Sequence, residues 1–175
     1  MNLTKDTYEY ILNFADDRTI LNMLSVNKKF RDDALFERIM KRRYPLLAKY
    51  IHYDTWTNFY IDVIYYLSKL KEEFDFPYIQ NPDFNPRNLY KFFRENPSPK
   101  TTIIVGLNIS SESGDLKMIK YFLDRAEKEL STSSYRVFLV ESLQSSAKNG
   151  HLDAVKYLTE RKSSINKIKY KNIKI

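Results

Sequence analysis

The chain has 175 residues, 43% of them hydrophobic and 15% aromatic, and a formal net charge of +7. That is enough apolar mass to bury a core, which excludes global disorder. The absence of cysteine excludes disulfides and thiolate metal sites and makes a reducing compartment the natural expectation. No run approaches the ~18 apolar residues of a membrane-spanning helix, and the most apolar stretches, 61–67 and 103–107, are short. The first residues lack a basic start followed by an apolar run, so neither a signal peptide nor a membrane partner is expected. Only Gly106, Gly114 and Gly150 are glycines, which favours helices over tight hairpins and phosphate-cradling loops. The charge is uneven. Residues 161–175 carry Arg161, Lys162, Lys167, Lys169, Lys171 and Lys174 with no acid, and the rest is nearly neutral. Such a basic tail is either a solvated terminus or a contact for nucleic acid or acidic partners.

In chain order, residues 4–43 read as short helices. Tyr8, Ile11, Leu12 and Phe14 form a first apolar stripe, with Thr4 as N-cap. Asp17 is placed to cap a second helix carrying Ile20, Leu21 and Leu24. Leu35, Phe36, Ile39 and Met40 form a third stripe, which ends at Tyr44-Pro45 because a residue before proline is pushed out of the helical region. Residues 46–76 are expected to be helical, with Trp56, Phe59, Tyr60, Val63, Leu67, Leu70 and Phe74 on one face. Five prolines fall between 77 and 100. They mark a subdomain boundary around a short helix at 88–94, and its Phe and Tyr residues should pack onto their neighbours.

The C-terminal part repeats itself. Gly114-Asp115-Leu116-Lys117-Met118-Ile119-Lys120-Tyr121-Phe122 aligns with Gly150-His151-Leu152-Asp153-Ala154-Val155-Lys156-Tyr157-Leu158 at an offset of 36. Small residues precede each glycine, Ser110-Ser111 and then Ser146-Ala147. They let a first helix approach its neighbours, the glycine ends that helix in a left-handed conformation, and the leucine opens a second helix. Gly114, Leu116, Ile119, Gly150, Leu152 and Val155 are therefore the expected structural residues of the repeat. Gly150 to Leu158 resembles the second helix of an ankyrin repeat, which typically reads Gly-His-Leu-x-x-Val-Lys-Tyr-Leu. The period exceeds the usual one of about 33 residues. The extra residues are expected in a Ser/Thr-rich loop at 129–135, and the family's Thr-Pro-Leu-His opening is degraded to Val105–Asn108 and Glu141–Gln144. Two units are fewer than such arrays need, so the aromatic middle region must cap one side.

Leu3 to Phe36 resembles an F-box. Leu3, Ile11, Leu12, Leu21, Leu24 and Phe30 match its apolar pattern, with Thr4 and Phe30 where that family has proline and tryptophan. The resemblance implies that these six residues contact a Skp-type adaptor of a cullin–RING ubiquitin ligase. An alternative is that they close the protein's own core. F-box-like N-termini followed by ankyrin repeats are common in proteins of giant DNA viruses. This implies an intracellular effector acting in host cytoplasm or nucleus.

Nothing in the sequence forms a catalytic constellation, and no cofactor or metal is expected. His52 and His151 are the only histidines. The adjacent acids 16–17, 32–33 and 72–73 diverge on a helix and make poor acid–base partners. The expected protein is all-α: an F-box-like module at 1–44, a helical spacer at 45–100, two divergent ankyrin repeats at 101–160 and a basic tail at 161–175. Its expected function is protein–protein recognition through Asn108, Glu112, Gln144 and Lys148 with the loop 129–136. The alternatives are a nucleic-acid-associated or structural protein using the tail and Lys41-Arg42-Arg43, and a self-associating helical protein; oligomeric state is left open.

Overall fold

The computed structural model describes residues 5–26, 31–50 and 54–171. Among them lie ten helices and no strand: α1 (Lys5–Phe14), α2 (Asp17–Val26), α3 (Asp33–Arg43), α4 (Pro45–Tyr50), α5 (Trp56–Phe74), α6 (Pro86–Glu95), α7 (Pro99–Ser113), α8 (Leu116–Glu129), α9 (Thr132–Lys148) and α10 (Leu152–Lys171).

Short polar side chains set most of the starts by accepting a bond from an otherwise unpaired N–H in the first turn. Asp32 caps α3 through Leu35 N at 3.2 Å. Thr55 caps α5 through Asn58 N at 3.2 Å, and Asn85 caps α6 through Asn88 N at 3.1 Å. The cap of α2 differs from expectation. Asp16, not Asp17, accepts from Thr19 N at 2.7 Å. Asp17 is the first helical residue, and its carboxylate turns inward to accept from Tyr44 Oη at 2.7 Å, Tyr60 Oη at 2.6 Å and the Arg43 guanidinium. Thr4 lies outside the described residues. The helical stretch expected at 46–76 is divided into α4 and α5, because the Thr55 cap starts a new helix. α6 is longer than expected, since Pro86 occupies its first turn where no N–H is needed.

One core runs from Leu12 to Leu158. Leu12, Ile20 and Leu24 share it with Leu35, Phe36, Ile39 and Met40, and α5 adds Phe59, Tyr60 and Val63. The proline-rich stretch is not a break in it. Phe76, Ile79, Phe84 and Phe93 are buried there. The Phe76 ring lies 5.1 Å from that of Phe93 and 5.2 Å from that of Phe122. Burying each of these rings stabilises by about 2–3 kcal/mol, and the Phe76–Phe122 contact joins the middle region to the C-terminal helices.

Helices α7–α8 and α9–α10 are two helical hairpins. Their turns are Gly114 and Gly150, with φ of 71° and 75°, as the repeat predicts. Three of the four small residues act as expected, since Ser110, Ser111 and Ser146 are fully buried, but Ala147 is exposed. A Cβ on Gly106 would lie 2.3 Å from the Phe122 ring. The expected loop at 129–136 is absent. Only Leu130 and Ser131 separate α8 from α9, because the Ser131 side chain caps α9 through Ser134 N at 3.2 Å. The extra length of the period is helix: Val105–Asn108 and Glu141–Gln144 fall inside α7 and α9 rather than at their starts. Leu152 opens α10 as expected but stands 80% exposed, unlike the fully buried Ile119.

Gly150→Ala should cost about 1–2 kcal/mol, the left-handed strain alone, because nothing lies within 4 Å of its added Cβ. Gly114→Ala should cost about 2–4 kcal/mol, since its Cβ would also press within 2.5 Å of the His151 ring. Equal losses in urea unfolding would refute this ordering. Asp17→Ala should cost about 2–3 kcal/mol by the same measurement, because it strands the hydroxyl of the fully buried Tyr60.

Candidate functional site

Helices α7 and α9 each bury one face and show the other. Ile103, Leu107 and Ser110 are buried on α7, as are Leu139, Ser142 and Ser146 on α9. On the outer sides, Asn108 and Glu112 stand exposed on α7, and Gln144 and Lys148 on α9. Residues four apart share a helix face, so each hairpin contributes one row, and the two rows match at the repeat offset. Val137, 51% exposed, and Glu141 extend the α9 row. The spacing between units is held by His151, whose Nε2 is 2.7 Å from the carbonyl of Glu112.

The basic tail is not a separate tail. α10 continues to Lys171, and Arg161 is built into the stack. Its guanidinium donates to Tyr135 Oη and Tyr157 Oη at 2.7 Å each. It also pairs with Asp124 at 2.9 Å and Glu127 at 2.6 Å. Burial works against its charge, but the two hydroxyls outweigh this and hold it more firmly protonated than usual. Lys162 is exposed. Lys167, Lys169 and Lys171 lie on the α10 backbone, and Lys174 falls outside the described residues.

Arg161 belongs to a feature that the sequence pattern carries beyond the residues first aligned. Lys120-Tyr121-Phe122-Leu123-Asp124-Arg125 corresponds to Lys156-Tyr157-Leu158-Thr159-Glu160-Arg161. The Lys71 ammonium sits 5.7 Å from the Tyr121 ring centre, and that of Lys120 sits 5.0 Å from the Tyr157 ring. The Tyr121 hydroxyl and the Arg125 guanidinium both grip Asp75, which ends α5 in a left-handed conformation with φ of 49°. Burial, and then the bond to Asp75, push the Tyr121 phenol up to about 12. Burial also opposes ionisation of Asp75, but Lys71 and Tyr121 outweigh it and keep its carboxyl below the usual range. A similar grip joins α6 to α5: Tyr90 Oη reaches both oxygens of Glu73 at 3.1 Å, and Arg94 lies 3.7 Å from it.

At the N-terminal end, four of the six expected adaptor contacts fall among the described residues. Leu12 and Leu24 are buried in the protein's own core, Ile11 and Leu21 are half-buried, and Leu3 and Phe30 lie outside the described residues. The helical stripe that buries Leu12 turns Tyr10 and Phe14 outward. They are 66% and 75% exposed, with ring centres 4.8 Å apart. Of the Lys41-Arg42-Arg43 cluster, Arg43 is spent on Asp17 and Lys41 pairs with Glu37 at 2.6 Å.

His52 lies outside the described residues, and among those described no group of three or more His, Cys, Asp or Glu is placed to hold a metal ion. No described helix is long and apolar enough to cross a membrane. Compared with family models, with curated proteins and with solved structures, the chain matches none.

Arg161→Ala should lower stability by about 1–2 kcal/mol, a figure discounted for the exposure of its acidic partners. Lys162→Ala should change it by less than about 0.5 kcal/mol. Chemical denaturation of the two variants beside the parent checks this, and a neutral Arg161→Ala would return that residue to the solvated charges.

Proposed function

We propose that this chain is a protein–protein recognition module whose helical hairpins present the row Asn108, Glu112, Gln144 and Lys148 to a target. The observation that carries this reading is the register of that row. Chemically distinct, exposed side chains repeat on successive units directly above a rigid, small-residue seam, and rigid display lowers the ordering cost of binding. We further propose that the N-terminal helices dock on a Skp-type adaptor of a cullin–RING ligase, so that the bound target is ubiquitylated. The exposed Tyr10–Phe14 pair supports this docking, with aromatic anchors of the kind that dominate interfaces. Leu12 and Leu24 then support the surface from beneath rather than touch the adaptor.

The test is co-purification with the adaptor, followed by calorimetry. The parent chain should bind. Tyr10→Asp with Phe14→Asp should remove binding without changing the helical signal, since both side chains are exposed. Replacing the four row residues by alanine should leave adaptor binding intact but abolish ubiquitylation of whatever the parent delivers. Failure of the folded parent to bind the adaptor would sink the ligase link. An unchanged set of ubiquitylated proteins from the row variant would sink the row. The competing reading, nucleic-acid association through the lysines of α10, would show as duplex DNA binding that weakens steeply with salt. Its charge is reduced by the engagement of Arg161.

A further inference from the structure

At each junction of the stack, one helix offers a lysine and a carboxylate, and the next receives them with a tyrosine and an arginine. α5 offers Lys71 and Asp75 to Tyr121 and Arg125 of α8. α8 offers Lys120 and Asp124 to Tyr157 and Arg161 of α10. The offering half is present a third time in α10, one repeat period beyond Lys120 and Asp124: Lys156 and Glu160. Both are exposed, and among the described residues no ion pair, ring contact or hydrogen bond engages either side chain; only the Glu160 carbonyl accepts, from Ser164 Oγ at 3.0 Å. On α9, Ala147 is exposed and Leu143 half-buried. Their counterparts one unit earlier, Ser111 and Leu107, are buried.

We propose that the α10 face of the described stack, Lys156 and Glu160 with Leu143, Ala147 and Leu152, is an interaction surface for a helical hairpin of another polypeptide that carries tyrosine and arginine four residues apart. The charges define the receiving helix, an aromatic face for the ammonium and a guanidinium for the carboxylate. Leu143 and Ala147 require a second helix, because α9 covers the corresponding places on α7. A second copy of this chain cannot supply the receiving pair. Its three Tyr-x-x-x-Arg pairs, 90/94, 121/125 and 157/161, are all engaged internally. The surface is also not built for permanent burial. Leu123 and Ala126, fully buried, correspond to Thr159 and Lys162, which are exposed. A mixed polar and apolar face of this kind suits a partner that associates reversibly. The inference does not rest on the α7–α9 row.

The receiving hairpin can be provided as an extra copy of residues 129–164, one period of the repeat, inserted after Ser164 of the full chain. The extended chain should gain helical signal in proportion and melt in a single transition at or above the parent midpoint. Lys156→Glu with Glu160→Lys in the inner copy should lower that midpoint by roughly 3–6 °C. The same pair of changes in the parent, where both side chains are exposed, should move it by less than about 1 °C. A protease-sensitive insert, or a midpoint indifferent to the charge reversal, would overturn the proposal. Sedimentation of the parent should show a monomer. A dimer dissolved by the same reversal would make a second copy the occupant and overturn the assignment to another polypeptide.

Discussion

Two helical hairpins have too few neighbours to bury their own faces, because each unit of a stacked array depends on the unit beside it. The aromatic slab of Phe76, Phe84 and Phe93 supplies the missing neighbour by closing over Phe122. That contact ties α8, and with it the first hairpin, to the middle region. Gly106 is required because a side chain there would occupy the place of the Phe122 ring. The buried serines continue the same close approach along α7 and α9. The polar ties at the junctions have a different role. Their partners are largely exposed, with Asp124 and Glu127 near 57% and 59%, so each adds little energy in water. Their geometry is directional, however, and directional contacts select one stacking register where apolar burial alone is indifferent.

Much of this was legible in the residues. The 36-residue offset located both hairpins, and both glycines lie where the alignment needs a left-handed turn. The stripes at 35–40 and 56–74 became α3 and α5, since helical periodicity and a cap agree there. The all-helical character followed from the scarcity of glycine. What failed had local causes. Asp16 and Asp17 are both competent caps by composition, and only the tertiary demand of Tyr44 and Tyr60 on Asp17 decides between them. The Ser/Thr cluster at 131–134 looks like a loop because serine favours turns, yet one serine capping and the others following it make a helix start.

The candidate site was harder to read than the fold, and for a general reason. Apolar periodicity says that residues are buried, not against what. Leu12 and Leu24 satisfy both the F-box-like pattern and the demands of the chain's own core, and the core takes them. Arg161 shows the same ambiguity in charge. Counted by position it belongs to a basic run, but by its spacing from Tyr157 it repeats Arg125. The alignment of Lys-Tyr pairs at 120–121 and 156–157 pointed to it, and extending that alignment by four residues separates a structural guanidinium from solvated lysines.

The two faces of the described stack are chemically unlike, and this bears on how its contacts stay specific. At the α5 side, the Phe76 ring packs on Phe122 of the first unit. At the α10 side, the positions that were Leu123 and Ala126 become Thr159 and Lys162. Leucine and alanine there would leave an uninterrupted apolar face, the kind of surface that drives unselective association. Threonine and lysine weaken that drive while leaving Lys156 and Glu160 in their stacking positions. A partner then gains little from apolar contact alone and must satisfy the two charges in register. Selectivity at this face comes from what has been removed as much as from what remains.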